Sequence, residues 1–133
     1  MISPELKERV WAKAIVIDGF EPNEVRKDVC GAYIIKKFSN RENIYAWEID
    51  HIIPVSVLRA QNVPEALIDN IINLRPLCYR NNISKADDIP VYNVSVEGID
   101  DTNCEVSKKK RVLDTVLQAV LAFYKDKGYD IKL

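Results

Sequence analysis

The stretch Trp47-Glu48-Ile49-Asp50-His51-Ile52-Ile53-Pro54-Val55-Ser56 holds the chain's only histidine, and the fold reading turns on it. Two later stretches go with it: Asp69-Asn70-Ile71-Ile72-Asn73-Leu74-Arg75-Pro76-Leu77-Cys78 and Asn81-Asn82-Ile83-Ser84-Lys85-Ala86-Asp87-Asp88. Hydrolysis of a phosphodiester needs a cation to neutralise charge, a base to take a proton from water, and groups that hold both in place. Asp50, His51, Asn73 and Asn82 are of the residue types that fill those places. A carboxylate and an amide carbonyl are hard oxygen donors, suited to Mg²⁺ or Mn²⁺. A neutral imidazole is available as a base near neutrality, and such assistance is worth roughly 10²–10⁴ in rate.

These residues resemble the HNH, or ββα-metal (His-Me finger), endonuclease family, whose signature runs Asp/His-His, then Asn, then Asn/His at the start of a short helix. The resemblance covers about residues 28–90. It implies an α+β fold in which a central ββα-metal unit carries the site and N- and C-terminal helices flank it. By position it makes Asp50 and Asn82 the ligands of one divalent cation, His51 the general base, and Asn73 the residue that orients the His51 segment. Lys85, one helical turn past Asn82, would face the same side and meet a phosphate oxygen. Arg75, Arg80 and the run Lys108-Lys109-Lys110 are the remaining candidate nucleic-acid contacts. The implied reaction is hydrolysis of DNA, with RNA left open. One chain carries one site, so cutting both strands in one encounter would take a homodimer. Many relatives hold a structural zinc with two Cys-x-x-Cys pairs. Here the corresponding positions are Lys27, Cys30, Cys78 and Asn81, half the donors are missing, and no zinc is expected.

Each residue also has a plainer reading. Asn73 serves equally as a turn residue, Asn82 as a helix cap, and Lys85 or Lys108-Lys109-Lys110-Arg111 as solvated charge. Trp11 and Trp47 are most simply core anchors, and Cys30 and Cys78 buried small apolar residues. The alternative function is a non-catalytic nucleic-acid-binding module that keeps the fold, and a secreted nuclease effector would share the chemistry.

Working outward, Ser3-Pro4-Glu5 is a helix start, and Leu6, Val10, Ala14 and Ile17 give that helix an apolar face to about Ile15. Ala32-Tyr33-Ile34-Ile35 and the stretch from Tyr45 to Ile53 read as a hairpin, Ile71 to Cys78 as a third strand, and Arg80 to Asp88 as a short helix ended by Pro90. Val112, Val116, Val120 and Tyr124, beside Leu113, Leu117 and Leu121, mark a long helix. The basic run at Lys108 would oppose a helix start there, so its beginning is expected near Asp100-Asp101, giving a helical extension over about 100–128.

At 133 residues, 47% hydrophobic and 29% charged, the chain suits one domain, residues 1–133. No apolar run nears the ~20 residues of a membrane span, and the charged N-terminus lacks a signal pattern, so a cytoplasmic protein is expected. Three widely spaced cysteines do not form a disulfide framework. The net charge of −1 leaves a nucleic-acid partner open.

Overall fold

The computed structural model describes residues 2–133. Helix α1 (Pro4–Trp11) opens as expected, with Ser3 Oγ accepting from the Leu6 N–H at 3.1 Å and Pro4 in the first turn. It stops at Trp11, short of Ile15. Ile15 and Lys27 instead exchange backbone hydrogen bonds of 2.8 and 2.9 Å, and Arg26 Nη1 donates to the Ala12 and Ala14 carbonyls at the helix end.

Two short antiparallel pairs follow. Strand β1 (Val25–Lys27) pairs with β2 (Tyr33–Ile35), and β3 (Trp47–His51) pairs with β4 (Leu74–Cys78), setting Asp50 opposite Arg75 and His51 opposite Leu74. The expected hairpin between the stretches at Ala32 and Tyr45 is therefore replaced by two other pairings. Strand β4 is buried along its whole length, so its backbone groups need a partner within the fold, and β3 supplies it. Between β3 and β4 lie α2 (Val55–Ala60), α3 (Glu65–Ile68) and the 3₁₀ turn Ile71–Asn73. Helix α4 (Tyr79–Lys85) follows β4 directly and ends at Ala86, whose φ of 48° cannot continue a helix.

The C-terminal third departs most from expectation. No helix begins near Asp100-Asp101; β5 (Val91–Ile99) and β6 (Thr102–Arg111) form a long hairpin, and those two aspartates are its turn, with φ of 50° and 64°. Tyr92, Val94 and Val96 alternate inward with the period of a strand. Gly98 is needed there, because a Cβ would lie 2.5 Å from the Tyr33 ring. Helix α5 (Asp114–Asp126) buries Leu117, Val120 and Tyr124, while Leu113 and Val116 are exposed, so the apolar face is narrower than the sequence suggested. Among the described residues no helix is long and apolar enough to cross a membrane.

The β3–β4 pair is gripped from both sides. Trp47, Leu74 and Cys78 pack with Val10, Trp11, Ile34 and Val96, and Leu77 joins Ile53, Leu58, Tyr92, Leu117 and Tyr124 in a second cluster. The Trp11 and Trp47 rings meet at 5.2 Å, and both indole N–H groups donate to carbonyls, of Pro22 and Lys36.

Of the four positions compared with a zinc site, three gather around a residue that the sequence reading passed over. The buried Asp28 carboxylate accepts from the N–H groups of Cys30, Ala32 and Cys78, each at 2.9 Å, and from Asn81 Nδ2 at 3.2 Å. Asn81 in turn donates to Val96 O and accepts from the Ser95 and Val96 N–H groups. One carboxylate and one amide thus tie together the β1–β2 turn, the β4–α4 junction and β5. Lys27 points away, over the Tyr33 ring. Burial pushes the Cys30 thiol up to about 12 and the Cys78 thiol up to about 11, as befits small apolar core residues.

Candidate active site

Asp50 and His51 end strand β3, and Asn82 sits in α4, which packs on that strand. All three line one shallow cleft of about 160 Å³, together with Pro54, Val55 and Asp87. Hydrogen bonds order the backbone around it. Asn73, fully buried at the end of the 3₁₀ turn, accepts from the Ile53 N–H at 2.8 Å and donates through Nδ2 to Ile53 O at 3.0 Å. Its own carbonyl accepts from the Ile52 N–H at 2.8 Å. Asn73 therefore clamps the two residues that follow His51, a tertiary duty that a simple turn residue does not have.

Asp50 is nearly as buried as the core, and its two oxygens face different cations. Oδ2 accepts from Arg75 Nε at 2.8 Å, and Oδ1 stands 3.2 Å from Lys85 Nζ. Lys85 Nζ also donates to His51 O at 3.1 Å. Burial holds the Lys85 ammonium below the usual lysine range, against the pull of Asp50. Burial would also lower Arg75, but the charge and hydrogen bond of Asp50 together with nearby Tyr92 and Cys30 outweigh it and keep the guanidinium above its usual range. The Arg75 guanidinium lies over the Tyr92 ring at 5.2 Å, and its Nη2, though buried, has no hydrogen-bond partner among the described residues. Removing the Asp50 carboxylate would leave two buried cations uncompensated.

These contacts correct two expectations. Lys85 and Arg75 were read as nucleic-acid contacts, yet both are buried and spend their charge on Asp50. Lys85 does lie on the Asn82 side of α4, as one helical turn requires, but it turns beneath the cleft instead of out of it. Arg80 is partly exposed and pairs with Glu105 at 2.8 Å. Lys108, Lys109 and Lys110 lie on β6 instead of a helix, so their side chains alternate between faces, and Lys108 pairs with Glu97. The residues lining the cleft do not include them.

Two acids matter more than the sequence indicated. Glu48 shares its face of β3 with Asp50; its carboxylate takes Arg41 at 2.6 Å and Asn82 Nδ2 at 3.0 Å. Burial would raise Glu48, but these two hydrogen bonds prevail and hold it below the usual carboxylate range. Asp69, just after α3, places Oδ1 2.7 Å from His51 Nε2. It lies inside a stretch the sequence singled out, yet an acid 18 residues from the histidine carries no local sign of meeting it.

The donors suit a hard divalent cation. Asn82 commits its amide nitrogen to Glu48, which leaves its Oδ1 without a partner among the described residues, and Asp50 keeps further lone pairs on both oxygens. Among the described residues no group of three or more His, Cys, Asp or Glu side chains is placed to hold a metal ion, and Asp50 and Asn82 are the two expected ligands that line the cleft. The Lys85 ammonium opposes a dication at the same carboxylate. No protein-family model, curated protein or solved structure matches this chain, and any functional reading rests on the site itself.

Proposed function

We propose that the chain is a divalent-cation-dependent endonuclease of the HNH, ββα-metal type that hydrolyses DNA phosphodiester bonds. The observation that carries this reading is the convergence of Asp50, His51 and Asn82 on one cleft, at the end of β3 and on the helix that follows β4. Asn73 supports it by fixing the backbone just past His51. A cation held by Asp50 and Asn82 would neutralise charge developing on the phosphate. His51 takes a proton from the attacking water, and the oxygen so freed forms the new bond to phosphorus as the leaving oxygen departs. The Asn73 clamp keeps the imidazole in register with the phosphate, which saves the orientation cost of the step. Lys85 and Arg75 hold the Asp50 carboxylate in one position. No structural zinc belongs to this reading, because Asp28 already joins the segments that carry Cys30 and Cys78.

A plasmid-relaxation assay tests it. Supercoiled DNA should be converted to the nicked form with Mg²⁺ or Mn²⁺ and stay intact with a chelator. Binding of DNA without nicking under any divalent cation would favour a module that keeps the fold without the reaction.

A further inference from the structure

Resting on the hydrolase reading for its consequence but not for its geometry, the structure assigns Asp69 as the positioning residue of His51; we infer that it fixes the imidazole as the tautomer protonated at Nε2. His51 Nε2 and Asp69 Oδ1 are 2.7 Å apart, a distance typical of a charge-assisted hydrogen bond. An ionised carboxylate can only accept, so the proton between them belongs to Nε2. In the neutral ring Nδ1 then carries the lone pair, and no group among the described residues donates to it. His51 itself lines the cleft with Asp50 and Asn82.

The ring is thereby held from two directions. Its backbone is set by β3 and by Lys85, which donates to His51 O, and its far edge is set by Asp69. Asp69 is anchored in turn, since it follows α3 directly and its N–H donates to Glu65 O at 3.4 Å. In the hydrolytic step the water proton moves to the Nδ1 lone pair, and the imidazolium formed keeps its Nε2 proton on Asp69. The pair passes from a net charge of −1 to neutral as the proton arrives, so the carboxylate stabilises the imidazolium, and no proton need pass to Asp69.

A single histidine makes this directly observable. In ¹⁵N-labelled protein, long-range correlation spectra of the side chain in mildly alkaline buffer should show one imidazole with the proton on Nε2. Asp69→Ala should abolish that preference and lower nicking turnover on the order of 10–100-fold, as for other partners that orient a functional imidazole, while KM for DNA stays put. Asp69→Asn, which keeps an acceptor oxygen, should restore part of both the tautomer and the rate. A wild-type spectrum with the proton on Nδ1, or one that Asp69→Ala leaves unchanged, overturns the inference. An Nε2–H spectrum that responds to Asp69→Ala in a protein that never nicks DNA upholds the positioning role and overturns the hydrolase reading alone.

Discussion

Asp28 and Asp50 are both buried carboxylates less than four per cent exposed, and they are satisfied in opposite ways. Asp28 is enclosed by four N–H donors and no cation in contact, joining segments that lie far apart in sequence. Asp50 is held by the charges of Arg75 and Lys85, at the edge of a cleft. The donors to Asp28 are neutral and three of them are backbone groups, whereas both partners of Asp50 are charged side chains. The first arrangement suits a structural tie, and the second keeps a carboxylate charged at the rim of a cleft.

That contrast can be broken by substitution. The largest effect belongs to Asp50→Ala, which leaves two buried cations without an anion and should cost about 3–5 kcal/mol of stability, measured by denaturant unfolding. Loss of cleavage in Asp50→Ala alone would therefore not separate ligation from folding, and Asn82→Ala is the cleaner variant for the cation. A loss below about 1 kcal/mol for Asp50→Ala would show that the triad does not hold the fold together.

Asp28→Asn should come next. An amide in that pocket turns an NH₂ group toward donors, leaving one or two of them unpaired, at about 1–3 kcal/mol each. Nicking by the remaining folded protein should be unchanged. A variant as stable as the wild type would mean that the four hydrogen bonds contribute little beyond packing.

Smaller still is the expected effect of Lys85→Met, which keeps most of the side chain's bulk and removes its charge. If Lys85 competes for the Asp50 oxygen, Mn²⁺ affinity by calorimetry should rise several-fold and DNA affinity should not fall. Weaker DNA binding with unaltered Mn²⁺ binding would return Lys85 to the role of a phosphate contact.

The same contrast explains what could be read from the sequence. Asp50 and His51 end a strand whose apolar neighbours mark it locally, Asn73 ends a short turn, and Asn82 lies inside a short helix one turn past its start. The β3, β4 and α4 segments were therefore readable, as was the Ser3 cap. Asp28 was not, because its donors at Cys30, Ala32, Cys78 and Asn81 meet only in three dimensions. The burial of Arg75 and Lys85, candidate nucleic-acid contacts by their charge, is not legible either, because sequence shows charge but not burial. The β5–β6 hairpin was missed for another reason. Keeping the basic run at Lys108 away from a helix start carries the helix marked by Val112 to Tyr124 back to Asp100-Asp101, although Tyr92, Val94 and Val96 alternate as a strand and Asp100-Asp101, without the usual Gly, make its turn.

In the proposed reaction His51 acts as a base beside the cation and not as its ligand. The most direct test of this role pairs the nicking turnover of His51→Ala with Mn²⁺ calorimetry on the same protein. Turnover should fall by about two or more orders of magnitude, within the range for a general base, with Mn²⁺ affinity almost unchanged. A His51→Ala protein that nicks DNA at the wild-type rate, or that binds Mn²⁺ much more weakly, would contradict the account.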